Sequence, residues 1–328
     1  MKKQFSKDVL KIDPETEVAR ICQWMRQALG RVLRKRGVVV AVSGGIDSSV
    51  SLGLAVKALG KDKALALMMP ERDSDEDTLR YSSLVVDHYG CKSVTEDITP
   101  TLAAVGHYER YVGAARQVIP EYEETWKSKI TISDQDKKGG LNYFYLIAQK
   151  PDGKIIEKRL PLGPYLEIVA ATNFKQRTRK ILEYYYADRF NYAVCGTPNR
   201  LEYDQGFFVK NGDGAADIKP IAHLFKSQVY QLAELLEVPE EIRRRLPTTD
   251  TYSLPQGQDE FYFSVPYDIM DLCLYGKNHG VPSKEVAKAA DMSTEQVERV
   301  YEDIDRKRLA TKYLHLPALL AEEVAEIK

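Results

Sequence analysis

The chain has 328 residues, of which 44% are hydrophobic and 29% are charged, a balance typical of soluble globular proteins. Its 47 Lys and Arg residues are matched by 48 Asp and Glu residues, and the net charge of −1 argues against a basic nucleic-acid-binding protein. The sequence has no run of about 18 apolar residues and no apolar stretch near its start, so we expect a cytoplasmic protein without nucleic-acid or membrane partners.

Helices and short apolar strands alternate over the first hundred residues. Asp13 can cap a first helix, whose apolar stripe runs from Val18 to Leu33. Further elements follow in order, with strands predicted at 38–42, 64–69 and 92–95 and helices at 50–59 and 75–88. Because the first two strands are unbroken apolar runs, they are typical of strands buried on both faces of a parallel sheet. The pattern predicts an α/β fold, a Rossmann-like parallel sheet with helices on both faces.

Residues 106–170 interrupt this alternation. The turn sequence KPDG at 150–153, flanked by the segments 141–149 and 154–160, predicts a β-hairpin. The polar stretch before it, 128–140, is interpreted as a mobile loop. The alternation then resumes with a strand predicted at 192–195 and helices predicted at 172–188, 224–236, 265–275, 283–290 and 293–311. A long loop is predicted at 247–258. We therefore expect one domain over residues 1–328, with an insertion at about 106–170.

The loop SGGIDSS, at 43–49, lies between a buried strand and a helix. Two glycines allow a sharp turn and a close approach to a ligand, and the N–H groups at the start of the next helix attract an anion. Asp47 brings a carboxylate to the same place, which indicates that a cation accompanies the anion. Neither the Walker loop GxxxxGK[ST] nor the dinucleotide motif GxGxxG occurs in the chain.

This loop resembles the pyrophosphate loop of the N-type ATP pyrophosphatases, among them NAD synthetase, GMP synthetase and asparagine synthetase. Those enzymes cleave ATP between the α and β phosphates and transfer AMP to their substrate. The resemblance implies an adenine nucleotide alpha hydrolase-like fold, with the adenine near Met69. It also implies that ATP binds to the loop and the residue after it, namely Ser43, Gly44, Gly45, Ile46, Asp47, Ser48, Ser49 and Val50.

Downstream motifs narrow the choice within this superfamily. GTPNRLE at 196–202 and GFFVKNGDGAAD at 206–217 resemble, without gaps, the NAD synthetase signature GT-x-x-x-x-E followed by G-F-F-x-K-x-GDG-x-x-D. NFKQRTR at 173–179 resembles the family's N-x-x-x-R-x-R helix start. The resemblance covers most of residues 18–310 outside the insertion.

The resemblance implies three catalytic residues, Asp47, Glu202 and Lys226. The first two would hold one magnesium ion, since Mg²⁺ prefers one or two carboxylates together with phosphate oxygens. Lys226, Thr197 and Thr248 would add contacts to ATP.

The same resemblance implies a homodimer that binds the dinucleotide across its interface. The substrate contacts that it implies are Asn173, Arg177, Lys210, Asp217, Arg306 and Lys307. One position departs from the family, because Arg306 stands where the family's His-Lys-Arg tripeptide has histidine. This difference affects an implied substrate contact, whereas the implied ATP-binding residues match the family.

The implied activity is the amidation of nicotinic acid adenine dinucleotide (deamido-NAD) to NAD through an adenylated carboxylate, with release of AMP and pyrophosphate. Because 328 residues leave no room for a nitrilase-type glutaminase, we expect free ammonia, or a separate protein, to supply the nitrogen. An alternative is an amide ligase with the same ATP chemistry and another carboxylate, such as a sugar acid, which Arg306 and the hairpin motivate. A nucleotide-binding regulatory module without turnover is a second alternative, against which the pair Asp47 and Glu202 argues.

Two interpretations stay open at this point. The hairpin can cover the site as a lid or extend the surface of the subunit. Four aromatic residues can stack on a base or pack in a lid or a dimer core, and these are Tyr252, Phe261, Tyr262 and Phe263.

Overall fold

The computed structural model describes residues 5–74, 76–132, 143–245, 251–257, 262–263 and 265–327. The strands are β1 (Val38–Ala41), β2 (Ala64–Met68), β3 (Lys92–Thr95), β4 (Lys127–Ile132), β5 (Phe144–Gln149), β6 (Ile155–Arg159) and β7 (Ala193–Cys195). The helices are α1 (Pro14–Gln27), α2 (Ile46–Leu59), α3 (Glu76–Tyr89), α4 (Thr99–Ala104), α5 (His107–Arg116), α6 (Leu162–Phe190), α7 (Arg200–Gln205), α8 (Lys226–Leu235), α9 (Glu240–Arg244), α10 (Tyr267–Asn278), α11 (Ser283–Ala290) and α12 (Thr294–Thr311). A π-helical segment, Ala28–Leu33, continues α1, and a 3-10 turn, Lys312–His315, follows α12.

Four strands form a parallel sheet in the order β3-β2-β1-β7. The chain adds β2 and β3 on one side of β1 and then returns to place β7 on the other side, so that Val38 pairs with both Ala64 and Ala193. The predicted parallel sheet is therefore confirmed. In open sheets of this kind, ligands bind beyond the carboxyl ends of the strands where the order reverses. That position here lies between β1 and β7.

Helices cover both faces of this sheet, as predicted. Val38 and Val40 of β1 point to one face, where they pack with Val50 of α2 and Val229 of α8. Val39 points to the other face, into a cluster that includes residues of α4 and α6. This alternation follows from the two-residue period of a strand, and burial of each valine contributes about 1.5–3 kcal/mol.

The inserted β-hairpin is also confirmed. β5 pairs with β6 in antiparallel register, and the turn between them is closed by a hydrogen bond from Lys150 N to Lys154 O. The predicted loop at 128–140 is wrong over its first residues, because Lys127–Ile132 forms β4 and pairs with β5. The rest of that predicted loop, and the start of the predicted strand at 141, fall in 133–142, outside the described residues.

The polar composition of β4 hides its alternation. Within the strand sequence KSKITI, Ser128 and Ile130 are fully buried, whereas Lys127 is exposed and Lys129 is half-buried. Ile130 packs with Leu146 of β5 and Ile168 of α6. The three-stranded sheet therefore has a small apolar core of its own, formed together with α6.

Helix α6 begins ten residues before the predicted start at 172. Pro164 lies in the first turn of this helix, where proline is tolerated because the N–H groups there have no intrahelical partner. Helix α2 begins at Ile46, four residues before the predicted start at 50, so the second half of the SGGIDSS segment is helical. The other predicted helices are present to within a few residues. Four helices of ten residues or fewer were not predicted, namely α4, α5, α7 and α9.

The C-terminal helices α10, α11 and α12 form a separate apolar cluster that also contains Leu201 of α7. Arg308 of α12 makes two hydrogen bonds to the carboxylate of Asp204, at 2.6 and 2.8 Å, which join α12 to α7. Among the described helices, none has both the length and the apolar character needed to cross a membrane.

Candidate active site

A cleft of about 730 Å³ opens at the carboxyl ends of β1, β2 and β7, at the point where the strand order reverses. The predicted site residues that line it are Ser43, Gly45, Ile46, Asp47, Ser48, Met69, Asn173, Thr197, Glu202, Lys226, Arg306 and Lys307. Strand, helix and loop residues far apart in the sequence thus meet in one place.

The loop between β1 and α2 turns at Gly44, whose φ of 70° lies in the left-handed region. A Cβ atom there would come within 2.5 Å of the Cβ atom of Tyr81 on α3, so the position requires glycine. Gly45 is the N-cap residue of α2, and the Ser48 hydroxyl donates to its carbonyl oxygen at 3.0 Å. The first N–H groups of α2 have no partner within the helix, and they give this edge of the cleft a positive character.

Two carboxylates meet beside this loop, Asp47 from α2 and Glu202 from α7. Asn199 caps α7 and connects them, because its backbone N–H donates to Glu202 Oε2 at 3.1 Å and its side-chain amide donates to Asp47 Oδ1 at 3.3 Å. We did not predict Asn199 as a site residue. The signal was available, since asparagine followed three residues later by glutamate is a capping box.

Lys226, the first residue of α8, places its buried ammonium against Asp47 Oδ2. Asp271 of α10 fixes this helix start by accepting hydrogen bonds from the backbone N–H groups of Lys226, at 3.2 Å, and Ser227, at 2.7 Å. Asp271 was not predicted either, because its contact depends on how α10 packs against α8.

The charges around Lys226 perturb one another. Burial raises the pKa of the Glu202 carboxyl, and the nearby charge of Asp47 raises it further. Burial alone opposes the charged form of Lys226, but the carboxylates of Asp47 and Glu202 raise its pKa above the usual value. Two carboxylates thus share one buried ammonium, an arrangement that favours an additional cation.

Helix α6 contributes a polar wall that the sequence reasoning missed. Lys175 pairs with Glu71 at 2.6 Å and Lys180 pairs with Glu183 at 2.6 Å, and all four side chains are buried. The three α6 residues among them line the cleft. The signal was a stripe of polar residues at helical spacing in a helix that packs on the sheet.

Other predicted residues lie away from the cleft. Ser49 and Val50 are buried behind the loop. The Asp217 carboxylate accepts a hydrogen bond from Val194 N at 2.7 Å, beside β7. Arg177 and Lys210 lie together, with Arg177 Nε donating to Lys210 O at 3.4 Å. Gly44 faces α3, and Thr248 falls outside the described residues.

The two α12 residues reach the cleft in different ways. Lys307 is mostly buried, which lowers its pKa, and its Nζ atom contacts Asp303 Oδ2 at 2.6 Å. Arg306 is largely exposed and pairs with Glu302 at 3.3 Å. Arg306 therefore stands at the rim of the cleft.

The inserted sheet supplies part of the cleft wall. Phe144 of β5 stacks on Tyr165 of α6, with ring centroids 4.2 Å apart, and both residues line the cleft. Among the predicted aromatic residues, Tyr252 and Tyr262 also line it, whereas Phe263 is buried in the cluster of C-terminal helices. Phe261 lies outside the described residues.

Comparisons with known proteins agree with this geometry. A family model described as NAD synthase matches residues 17–122 and 150–312, so the match is interrupted where β4 and β5 lie. A relative from Rhizobium meliloti (strain 1021), named NH(3)-dependent NAD(+) synthetase, is 58% identical over 324 residues, which are 99% of this chain and 97% of the relative.

Two solved structures share the fold. The NMN synthetase of Francisella tularensis superimposes with a TM-score of 0.65 at 22% identity, over 95% of this chain and 100% of that one. The NH3-dependent NAD synthetase of Campylobacter jejuni gives a TM-score of 0.62 at 20% identity, over 94% of this chain and 100% of that one. The family match and the 58% identity to the Rhizobium meliloti relative show that the chain belongs to the NAD synthase family.

Proposed function

We propose that this chain is a carbon–nitrogen ligase that amidates nicotinic acid adenine dinucleotide to NAD, using ATP and ammonia and releasing AMP and pyrophosphate. The observation that carries the proposal is the meeting of the SGGIDSS loop, Asp47, Glu202 and Lys226 in one cleft of an NAD synthase family member. The name of the Rhizobium meliloti relative supports ammonia as the nitrogen source.

We infer that ATP binds with its phosphates against the loop at 43–48 and its adenine beside Met69. The N–H groups at the start of α2 and the hydroxyls of Ser43 and Ser48 are donors that suit phosphate oxygens. Thr197 and Lys226 approach the same space from β7 and α8. We extend this assignment to Thr248 from the family resemblance alone.

The donor set of the cleft fits magnesium. Asp47 and Glu202 would hold the ion, since two adjoining carboxylates with a single ammonium leave negative charge that a cation neutralises. When bound, magnesium would offset charge on the transferred phosphate. Asn199 orients both carboxylates through its backbone N–H and side-chain amide.

The reaction has two steps. A carboxylate oxygen of the nicotinic acid ring attacks the α phosphorus, the bond to the β-phosphate oxygen breaks, and pyrophosphate leaves. Ammonia then attacks the acyl carbon, AMP departs with its electron pair, and the amide nitrogen loses a proton. The chain contributes positioning and charge stabilisation, with Lys226 and the α2 N–H groups facing the phosphates. No covalent enzyme intermediate is required.

The nitrogen and carboxylate substrates can be tested together. We expect the purified chain to release AMP in the presence of deamido-NAD and ammonium, and to ignore glutamine. At a fixed total ammonium concentration the rate is expected to rise from neutral to mildly alkaline pH, because free ammonia is the nucleophile. The measurement is NAD and AMP formation across a panel of carboxylates that includes sugar acids.

Two results would contradict this proposal. Efficient use of glutamine by the purified chain would show that ammonia is not its required nitrogen source. AMP release with another carboxylate, but none with deamido-NAD, would favour the alternative, an amide ligase that acts on that other carboxylate.

We also propose that residues 1–328 form one domain, with an insertion at about 106–170. The family match stops at 122 and resumes at 150, and the missing part contains β4 and β5. Because Phe144 and Tyr165 line the cleft, we infer that the insertion acts on substrate access as well as extending the subunit.

The substrate side of the site supports a homodimer. Leu166, Ile181 and Tyr185 are exposed and lie at helical spacing on α6, and Arg177 lies one turn before Ile181. An exposed apolar stripe of this kind marks an interface. We propose that two copies associate through α6 and bind the dinucleotide across the interface, which would bring Arg177, Lys210 and Asp217 to it.

The dimer proposal predicts that Ile181→Glu weakens association. We expect a shift to monomer in sedimentation velocity and a higher KM for deamido-NAD, while the KM for ATP changes little. Val32→Glu is the matched control, since Val32 is 77% exposed and Ile181 68% exposed, but Val32 lies at the end of the first helical segment. A wild-type monomer, or an Ile181→Glu variant that associates as tightly as wild type, would contradict the proposed interface.

A further inference from the structure

A short segment after α12 lies against the loop that carries part of the family signature. We call Lys312–His315 the C-terminal strap and residues 206–214 the signature loop. The ring of His315 packs edge-on against Tyr203, with centroids 4.8 Å apart, and against Phe208, with centroids 5.3 Å apart. The Lys210 ammonium donates to Tyr313 O at 3.0 Å.

The signature loop is compact, and Phe208 is central to it. Asp213 accepts a hydrogen bond from Val209 N at 2.7 Å, and a Cβ atom on Gly214 would come within 2.3 Å of the Phe208 ring. Phe208 and Val209 also line the cleft. A change on the strap can therefore alter the cleft directly, because the Phe208 ring contacts both.

The end of α12 brings the strap to this position. Gly206 has a φ of 72°, and a Cβ atom there would meet the Thr311 side chain at 2.3 Å. Thr311 Oγ1 also contacts Gln205 O at 3.2 Å. The family match ends at 312, so His315 lies beyond the residues that the family model covers.

We propose that the C-terminal strap positions the signature loop for the dinucleotide, with His315 as a positioning residue that acts through Phe208. The inference rests on the proposed function, because it takes the signature loop to be on the substrate side of the cleft. The strap holds the Phe208 ring by edge-to-face contact and the Lys210 ammonium by a backbone carbonyl. Without the strap, the signature loop would have to become ordered when the dinucleotide binds, and this ordering would lower the affinity for the dinucleotide.

Three variants separate ring packing from other roles. We expect His315→Ala to raise the KM for deamido-NAD about 3- to 10-fold, the effect of losing aromatic contacts, with little change in kcat or in the KM for ATP. His315→Phe keeps both edge contacts and is expected to stay close to wild type. Removal of residues 312–328 is expected to have the larger effect on the dinucleotide KM.

Two controls and one structural readout accompany these variants. Removal of residues 317–328 spares the strap, and His279→Ala removes a ring that stacks on Tyr275, 4.0 Å away, outside the cleft lining. Both are expected to keep the wild-type KM. Hydrogen exchange of the backbone amides of 206–214 in the ligand-free protein is expected to speed up in His315→Ala and to stay unchanged in the controls.

The outcomes are distinguishable from those of the proposed function. Unchanged exchange and an unchanged dinucleotide KM in His315→Ala would overturn the positioning role, and so would a His315→Phe variant as impaired as His315→Ala. If removal of 312–328 prevents folding, the two point variants still decide. If the wild-type chain does not amidate deamido-NAD, the proposed function fails, while hydrogen exchange still tests the strap.

Discussion

Asp47→Asn is expected to reduce AMP and pyrophosphate release by about 100- to 1,000-fold, comparable to the loss of a principal charge-stabilising group in other active sites. Asparagine keeps the shape of the side chain and an oxygen that can accept from Asn199. It removes the negative charge that faces the Lys226 ammonium and that would hold magnesium. The measurement is AMP and pyrophosphate formation over a range of magnesium concentrations at saturating ATP, deamido-NAD and ammonium.

Two matched variants test whether the loss of AMP release comes from the carboxylates of the cleft. Glu202→Gln is expected to behave like Asp47→Asn, whereas Asp62→Asn, a change on the exposed surface, is expected to leave the rate unchanged. Thermal unfolding should confirm that each variant folds. Near wild-type AMP release by both Asp47→Asn and Glu202→Gln, at saturating magnesium, would show that the assignment of the carboxylates is wrong.

Lys226→Met is expected to have the second large effect, lowering kcat by at least about 100-fold. The methionine fills a similar volume, but the Asp47 and Glu202 carboxylates then lose their buried counter-charge. Removal of one partner of a buried pair costs about 3 kcal/mol of folding free energy, so the ligand-free protein is also expected to be less stable. Steady-state kinetics and urea unfolding measure the two effects.

Lys277→Met provides the matched control for this substitution. Lys277 pairs with Asp305 at 2.7 Å, but the carboxylate is exposed to solvent, and such pairs contribute about 0–1 kcal/mol. Lys226→Arg keeps the charge and is expected to retain more activity than Lys226→Met. Wild-type stability together with a wild-type rate in Lys226→Met would exclude a central role for this ammonium.

Local sequence signals predicted the parallel sheet and the phosphate-binding edge of the cleft. The buried strands and the Gly44 turn are determined within a few residues, by apolar runs and by the conformational freedom of glycine. Asp47 could be recognised because it follows that turn directly. The distant partner Glu202 came from the family resemblance, since no local pattern says which carboxylate will lie beside it.

Tertiary contacts determine the parts that could not be predicted. Lys175 and Glu71 are far apart in the chain and meet only because α6 packs over the end of β2. Strand β4 has few apolar residues, and its pairing with β5 shows which of its alternate positions are buried. Arg177 and Lys210 are also far apart in the chain, and they meet only because the segment after α7 folds back against α6.

The late return of the chain to β7 has a consequence for biosynthesis. During translation β1, β2 and β3 emerge first, whereas the partner of Val38 on its other side, Ala193, emerges only after the insertion and α6 have been made. Pairing over such a distance is slow, because the entropy of closing the loop is lost before the contacts form. Until β7 docks, one edge of β1 stays open to other chains. The docking of β7 therefore completes the cleft and covers the open edge of β1 in the same step. We expect a nascent chain to bind ATP only after this step, when its sheet can no longer pair with other chains.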